Sequence, residues 1–388
     1  MGASLAPERG MRTLAALLAC LALVKLGLHL LTSGQYGYHR DELYYLASAA
    51  HLDLGYVDYP PVTPFLGRLA LLLFGDSLLG LRMLPALAGA AAVVLTGLLA
   101  GVLSGRLWAQ GLAALAVLAS PIFLGANLLF QTVSFDQLAW AGVTYAVARV
   151  LRDGGGRWWL VTGAAFGVGL LTKYTIAAFG LAILIGLLAT SARGQLRTPW
   201  PYLAGLLAAL LFAPNVVWQI GHDWSSLQYV RTHHGAIESG GGPLAYLVEQ
   251  IPLAGPAGLV LLVVGARYLL GSVQFRALGV AAIVVEVLLL LGEAGALDRF
   301  GPAYGLPPVV SPHLTYYYWK PAHVRDDPVI TVGYSAEQLQ PWFSRVDEAA
   351  TLGNRAGVRN EEVGRHVFVC REPRVPLDQV WPELHAFD

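Results

Sequence analysis

Apolar runs separated by short polar connections fill the chain from Met11 to Leu291. They are Met11–Leu31, Leu81–Leu103, Leu107–Leu128, Phe135–Val150, Trp158–Thr172, Ile176–Leu188, Pro201–Ile220, Leu244–Ala266 and Ala277–Leu291. A run of about 20 apolar residues matches the hydrocarbon core of a bilayer. Two of the shorter runs lie either side of Lys173, so the pattern amounts to about eight hydrophobic spans. Arg9 and Arg12 precede the first run, as in a signal peptide. The run is long, however, and no convincing small-residue cleavage site precedes Tyr36, which favours a retained anchor. From Glu293 onward the pattern changes. Pro328–Val332 and His366–Cys370 alternate like strands, and Ala336–Ala350 reads as a helix between them. The pattern therefore predicts an all-α polytopic membrane domain over residues 1–292. Its polar loop at 32–80 is followed by a small, partial α/β tail over 293–388.

Composition agrees. Of 388 residues, 56% are hydrophobic and 13% charged, against about 25% charged in a typical soluble domain. Lysine plus arginine equals aspartate plus glutamate at 25 each, so net charge argues for neither nucleic acid nor acidic partners. Cys20 and Cys370 fall in the first span and the tail, so neither a disulfide nor a metal cluster is expected. Basic residues crowd alternate connections: Arg9 and Arg12, Arg106, Arg152 and Arg157, Arg193 and Arg197, then Arg267 and Arg276. The positive-inside rule puts that set, and the N-terminus, in the cytoplasm. The tail is expected outside. Three polar segments share its face: the loop around Asp41, the turn before Asp136, and the loop from Gly221 to Gly242.

The first outer loop reads Tyr38-His39-Arg40-Asp41-Glu42-Leu43-Tyr44-Tyr45. Leu43, Leu46, Ala47 and Ala50 recur at helical spacing, as in an amphipathic helix on the membrane surface. Asp41 and Glu42 put adjacent carboxylates at its start, where helix first turns also favour acids for structural reasons alone. The loop closes on Tyr56-Val57-Asp58-Tyr59-Pro60-Pro61, whose prolines stiffen the re-entry into the bilayer. Asp136 stands at the outer end of a span. An ionisable group there faces a functional cavity or belongs to a helix N-cap region with Ser134. Lys173 either binds a phosphate or snorkels at a hairpin tip. Arg82 reads as a snorkelling interface residue. The loop 221–242 holds Arg231, a candidate anion clamp. It also holds His233 and His234, which lack the helical spacings of a metal site.

The stretch Gly37–Pro61, then Phe74-Gly75-Asp76-Ser77 and Leu81-Arg82, resembles the polyprenyl-phosphate-dependent glycosyltransferases of family 39. That group includes protein O-mannosyltransferases and the lipid A aminoarabinose transferase. Phe130–Trp140, Trp158–Tyr174 and Pro214-Asn215 to Trp218 extend the likeness. Gly301–Pro308 and Asn360-Glu361-Glu362 resemble the C-terminal domain of bacterial members. There are two departures. Tyr59 stands where the aminoarabinose transferase has a lysine before the prolines. Near Leu291–Glu293, where relatives add further spans, this chain runs into tail sequence and looks internally shortened.

The resemblance implies a GT-C type fold in the plasma (inner) membrane. It implies sugar transfer, with inversion, from a polyprenyl-phosphate donor to a protein, lipid or cell-envelope acceptor at the outer face. Asp41 is implied as general base, with Glu42 and Asp136 positioning the acceptor or adjusting the base. Tyr56, Tyr59, Arg231 and Lys173 are candidates for the lipid phosphate and sugar. No cofactor or metal is required; the partners are the lipid-linked donor and membrane lipids. Two other readings stand beside this one: an inactive shortened paralogue, and a transporter or flippase for a lipid-linked sugar.

Overall fold

The computed structural model describes residues 5–35, 37–230, 242–292, 329–332, 334–351 and 366–374. Helix α1 (Leu5–Thr32) leads into two short helices, α2 (Arg40–Ala50) and α3 (Val62–Phe74). Then come α4 (Leu78–Ser104), α5 (Leu107–Ala119), α6 (Pro121–Ala126), α7 (Thr132–Asp153), α8 (Gly156–Leu170) and α9 (Ile176–Leu188). A 3-10 turn at Ser191–Arg197 precedes α10 (Trp200–Gly221), α11 (Gly242–Gly271) and α12 (Arg276–Gly292).

Among the described residues, three helices have the length and apolarity to cross a bilayer alone: Arg12–Thr32, Leu78–Ser104 and Trp200–Gly221. The bent pair Ile176–Leu188 and Ser191–Arg197 makes a fourth if counted as one span. Some of the other expected spans are interrupted or carry charge, and the residues show why. Pro121 has no N–H to continue α5, so the run 107–128 splits into α5 and α6. Gly255 adopts φ 71°, which breaks α11. Helix α7 is long enough but carries Asp136, Arg149, Arg152 and Asp153.

The connections gather at two ends. At one, the Asn215 amide donates to the Leu54 carbonyl, Val62 N–H to the Leu171 carbonyl, and Phe130 N–H to Glu42. At the other, Tyr268 donates to the Leu103 carbonyl, Gln274 to the Leu151 carbonyl, and Trp159 to the Gln195 side chain. Counted as passes between these ends, the described helices make nine, with α5 and α6 sharing one. The core lies where α7, α8, α9, α10 and α12 meet, around Val143, Val147, Ile176, Phe179 and Ala281. Close approach there rests on small residues. A Cβ at Gly163 would strike the Ala204 backbone, and one at Gly186 the Ala277 carbonyl. Between lipid-facing helices, where no hydrophobic force drives pairing, such contacts supply much of the attraction.

Helix α2 turns one face inward. It buries Glu42, Tyr45, Ser48 and Ala49. Helix α3 exposes Phe65, Leu69, Leu72, Leu73 and Phe74.

The tail forms an antiparallel sheet of β1 (Val329–Val332), β2 (Phe343–Thr351) and β3 (His366–Pro373) in the order β1-β3-β2. The helix expected over 336–350 stops at Leu339, and its second half is β2. Pairing with β3, Val346 opposite Cys370 and Asp347 opposite Val369, overrides the helical preference of Glu348, Ala349 and Ala350. Leu339, Phe343, Phe368 and Cys370 make its small core. The junction after Gly292 lies outside the described residues.

Candidate active site

The site begins at the start of α2. His39 caps the helix through Nδ1, which accepts the Asp41 N–H at 3.2 Å, while Glu42 Oε2 accepts the His39 N–H at 2.8 Å. This is a capping box with histidine in the hydroxyl residue's place. Glu42 is fully buried. Arg82 grips it with both arms of the guanidinium, Nε to Oε1 at 2.8 Å and Nη2 to Oε2 at 2.6 Å. Phe130 N–H adds a third donor to Oε1's side at 2.9 Å. The remaining Arg82 N–H groups bind the carbonyls of Ser33 and Gly37, the latter at 2.8 Å.

Arg82 is therefore not a snorkelling residue, as its sequence position implied. It is 2% exposed and ties the end of α1, the loop, α2 and α4 into one joint. Planar bidentate pairing is what makes such burial tolerable. Glu42 has both oxygens engaged within that joint.

Its neighbour Asp41 differs in every respect. The side chain is 37% exposed, 3.7 Å from His39 and 3.4 Å from Arg40. Exposed pairs of this kind hold a carboxylate loosely. One turn along α2, Tyr45 is buried and hydrogen-bonds Thr132 at the start of α7. Asp136 lies one turn beyond Thr132, its Oδ1 accepting the Trp140 indole N–H at 3.0 Å. Trp140 stacks on Phe179 at 4.5 Å. The Asp41 face of α2 and the Asp136 face of α7 are thus joined through Tyr45 and Thr132.

Two tyrosines expected to touch substrate do not present their hydroxyls. Tyr56 is fully buried. Its hydroxyl is shared between the Ser48 and His51 carbonyls, both at 3.2 Å, and accepts the Asp53 N–H at 3.1 Å. Burial pushes its pKa up to about 12. Tyr59 is 4% exposed, with its hydroxyl on that of Ser48, and burial likewise holds it well above the ordinary phenol value. Both fasten the loop to α2. They had looked available because polar tips in a loop carry no mark of inward direction.

Residues passed over by sequence reasoning complete the site. Asp58 accepts the Tyr44 hydroxyl at 2.8 Å, and its charge reaches Tyr45, Tyr59 and Tyr174. Tyr174 donates to Asn215 at 3.2 Å and accepts from Gln219 at 3.1 Å. Gln219 also donates to Ser226 at 2.6 Å, and Ser226 to the Tyr56 carbonyl at 3.0 Å. Gly55 lies so close over Trp218 and Asn215 that a Cβ there would meet Trp218 at 2.5 Å. Four connections therefore converge at this end.

Beside them opens an apolar cavity of about 300 Å³. Leu54, Pro61, Val62, Leu171, Leu211 and Pro214 are among its walls. Lys173, two residues from Leu171, is half-buried, and its ammonium makes no hydrogen bond or ion pair among the described residues. Arg231, His233 and His234 lie outside the described residues.

A bundle of apolar helices carrying a buried ion pair and an apolar cavity at one end is consistent with a GT-C type membrane glycosyltransferase. Residues 58–218 match the family described as dolichyl-phosphate-mannose-protein mannosyltransferase, and over this segment the chain is similar to the GT-C glycosyltransferases. The matched stretch runs from Asp58 through Arg82, Asp136 and Lys173 to Trp218 in α10; Asp41 and Glu42 precede it. Comparison with curated proteins and with solved structures gives no match.

Proposed function

We propose that the protein transfers a sugar from a polyprenyl-phosphate donor to an acceptor hydroxyl or amine at the end of the bundle built around α2. The observation that carries this reading is one juxtaposition. Lys173, half-buried and with no hydrogen bond or ion pair from its ammonium among the described residues, lies in the chain between Leu171 of the apolar cavity's wall and Tyr174 of the polar cluster. A lipid phosphate needs the first two, and a sugar acceptor needs the third. The donor's prenyl chain enters the cavity behind Pro61 and Leu171, and its phosphate meets Lys173. With Tyr59 turned inward at the position of the aminoarabinose transferase's lysine, Lys173 supplies that cation, joined by Arg231.

Asp41 is the general base. It is accessible, while Glu42 beside it is locked by Arg82. The acceptor oxygen or nitrogen attacks the anomeric carbon, and its proton passes to Asp41. The carbon–oxygen bond to phosphate breaks, the phosphate keeps the electron pair, and the anomeric configuration inverts. Asp136, reached through Tyr45 and Thr132, orients the acceptor. In this reading the arginine-rich end faces the cytoplasm of the plasma membrane and the tail lies outside.

The test is transfer by the purified protein from polyprenyl-phosphate mannose. Asp41→Asn should lower turnover at least about 100-fold, the usual scale of general base catalysis, at unchanged protein level. Near-wild-type turnover would remove Asp41 from the role. Binding of the donor without turnover would favour the inactive paralogue, and movement of intact donor across vesicles the flippase.

A further inference from the structure

Asp58 is not placed by the reaction as written. It is half-buried at the centre of the site, held by the Tyr44 hydroxyl at 2.8 Å. It stands among aromatic rings: Tyr44 and Tyr59 meet edge-on at 5.3 Å, and Tyr45 and Tyr59 lie 4.8 Å apart. Three residues on, Pro61 enters the wall of the apolar cavity. Val62 N–H is bonded at 2.9 Å to the Leu171 carbonyl, at the start of the turn carrying Lys173 and Tyr174. Asp58 is thus the acid at the border of cavity and polar cluster, whereas Asp41 stands a full loop away at the start of α2.

We propose that Asp58 is the sugar-binding carboxylate of the donor subsite, taking two hydroxyls of a neutral hexose while tyrosine rings pack against its C–H face. This rests on the functional reading above and deepens it. A carboxylate accepts two parallel hydrogen bonds, which suits adjacent hydroxyls. Charge-assisted bonds are the stronger kind. With the prenyl chain in the cavity and the phosphate at Lys173, the sugar attached to that phosphate lies on Asp58's side of the turn. Tyr44 fixes the carboxylate's rotamer from α2 and acts as a positioning residue. The division of labour is then between two acids: Asp41 takes the proton and Asp58 recognises the sugar.

The experiment measures equilibrium binding of two probes to the purified full chain: polyprenyl phosphate, and polyprenyl-phosphate mannose. The wild type should bind the mannosylated lipid about 10-fold or more tighter, the scale of one hydrogen bond to a charged group. Asp58→Asn should remove that preference and leave affinity for the bare lipid phosphate unchanged. Tyr44→Phe, which keeps the carboxylate but frees its rotamer, should reduce the preference only in part. It also serves as the informative variant if Asp58→Asn fails to fold. Equal loss for both lipids in both variants would make Asp58 a structural acid and overturn the proposal, as would a retained preference. A wild type that binds both lipids equally sinks this inference alone. One that binds neither sinks the functional reading as well.

Discussion

The two ends of the membrane domain hold their charges in opposite ways. At the end built around α2, Arg82 and Glu42 are 2% and 0% exposed and share two hydrogen bonds, with further bonds to Ser33, Gly37 and Phe130. At the other end, Arg149 and Arg152 both reach Asp153, at 2.6 and 2.9 Å, from positions 22–38% exposed. Arg149 also lies over the Trp158 ring at 4.4 Å. Turns there are made locally, with Gly105 and Gly154 in the left-handed region that closes a helix without a Cβ clash. The arginine-rich end needs only to sit in water and anchor helices. The α2 end takes charge out of water, which is costly unless geometry and pairing are near ideal. Burial of that kind, maintained across four elements, marks where shape matters most.

The sharpest way to break this comparison is Arg82→Met. Removing one partner of a buried pair leaves an uncompensated charge and costs about 3–5 kcal/mol. Thermal unfolding in detergent should show a large loss of stability, with little protein left in the membrane. A melting curve like the wild type's would mean the two ends are energetically alike.

Lys173→Met probes the same end without disturbing its joint. It should weaken polyprenyl phosphate binding about 10-fold or more, the range for a bond to a charged group. Because the Lys173 ammonium has no hydrogen bond or ion pair among the described residues, stability should stay near wild type. A stability loss with unchanged lipid affinity would make it a structural cation.

Alkaline pH distinguishes the ends in one titration. Burial raises the phenol pKa values of Tyr45, Tyr56 and Tyr59, with Tyr56 at about 12 against 10.0 for a free phenol. A folded-state pKa above the unfolded one gives stability that is complete below pH 10 and lost as pH rises through the folded value. The loop 37–61 should therefore loosen between pH 10 and 12, with tyrosinate absorbance appearing late and together with proteolytic cleavage of the loop. Independent titration near pH 10, with no loosening, would show these hydroxyls to be solvated.

The smallest effect belongs to the arginine-rich end. Arg149→Ala should cost less than about 1 kcal/mol, as exposed ion pairs do, and leave lipid binding unchanged. A cost approaching that of Arg82→Met would erase the contrast.

Much of this was legible from residues alone. The apolar runs mark their helices because the bilayer demands length, and α1, α4 and α10 appear near the expected limits. Breaks within runs were harder: the effect of Pro121 can be read locally, whereas that of Gly255 depends on its φ. Arg82 was misread because its partner is 40 positions away. Tyr56 and Tyr59 were misread because their acceptors are backbone carbonyls and a serine on α2. Strand β2 was missed because its partner lies beyond residue 365. Asp58 stood in view within the Tyr56–Pro61 string, but nothing in that string distinguishes it from Asp53 a few positions earlier. Only the fold brings Tyr44 and Tyr174 around it.

The bonds from Asn215 to Leu54 and from Ser226 to Tyr56 span 161 and 170 positions. A ribosome adding about 5–20 residues per second needs roughly 10–30 s to cover such a gap. The loop 37–61 has left the translocation channel long before its clasp exists. During that interval its buried tyrosines and the Gly55 backbone have no α10 to close on, and α2 is held by the earlier elements alone, Arg82 and Phe130 among them. A nascent chain halted before residue 215 should therefore display an unlatched loop, open to insertion chaperones and membrane proteases. Quality control has a defined window in which to act on this protein, and it closes when α10 enters the bilayer.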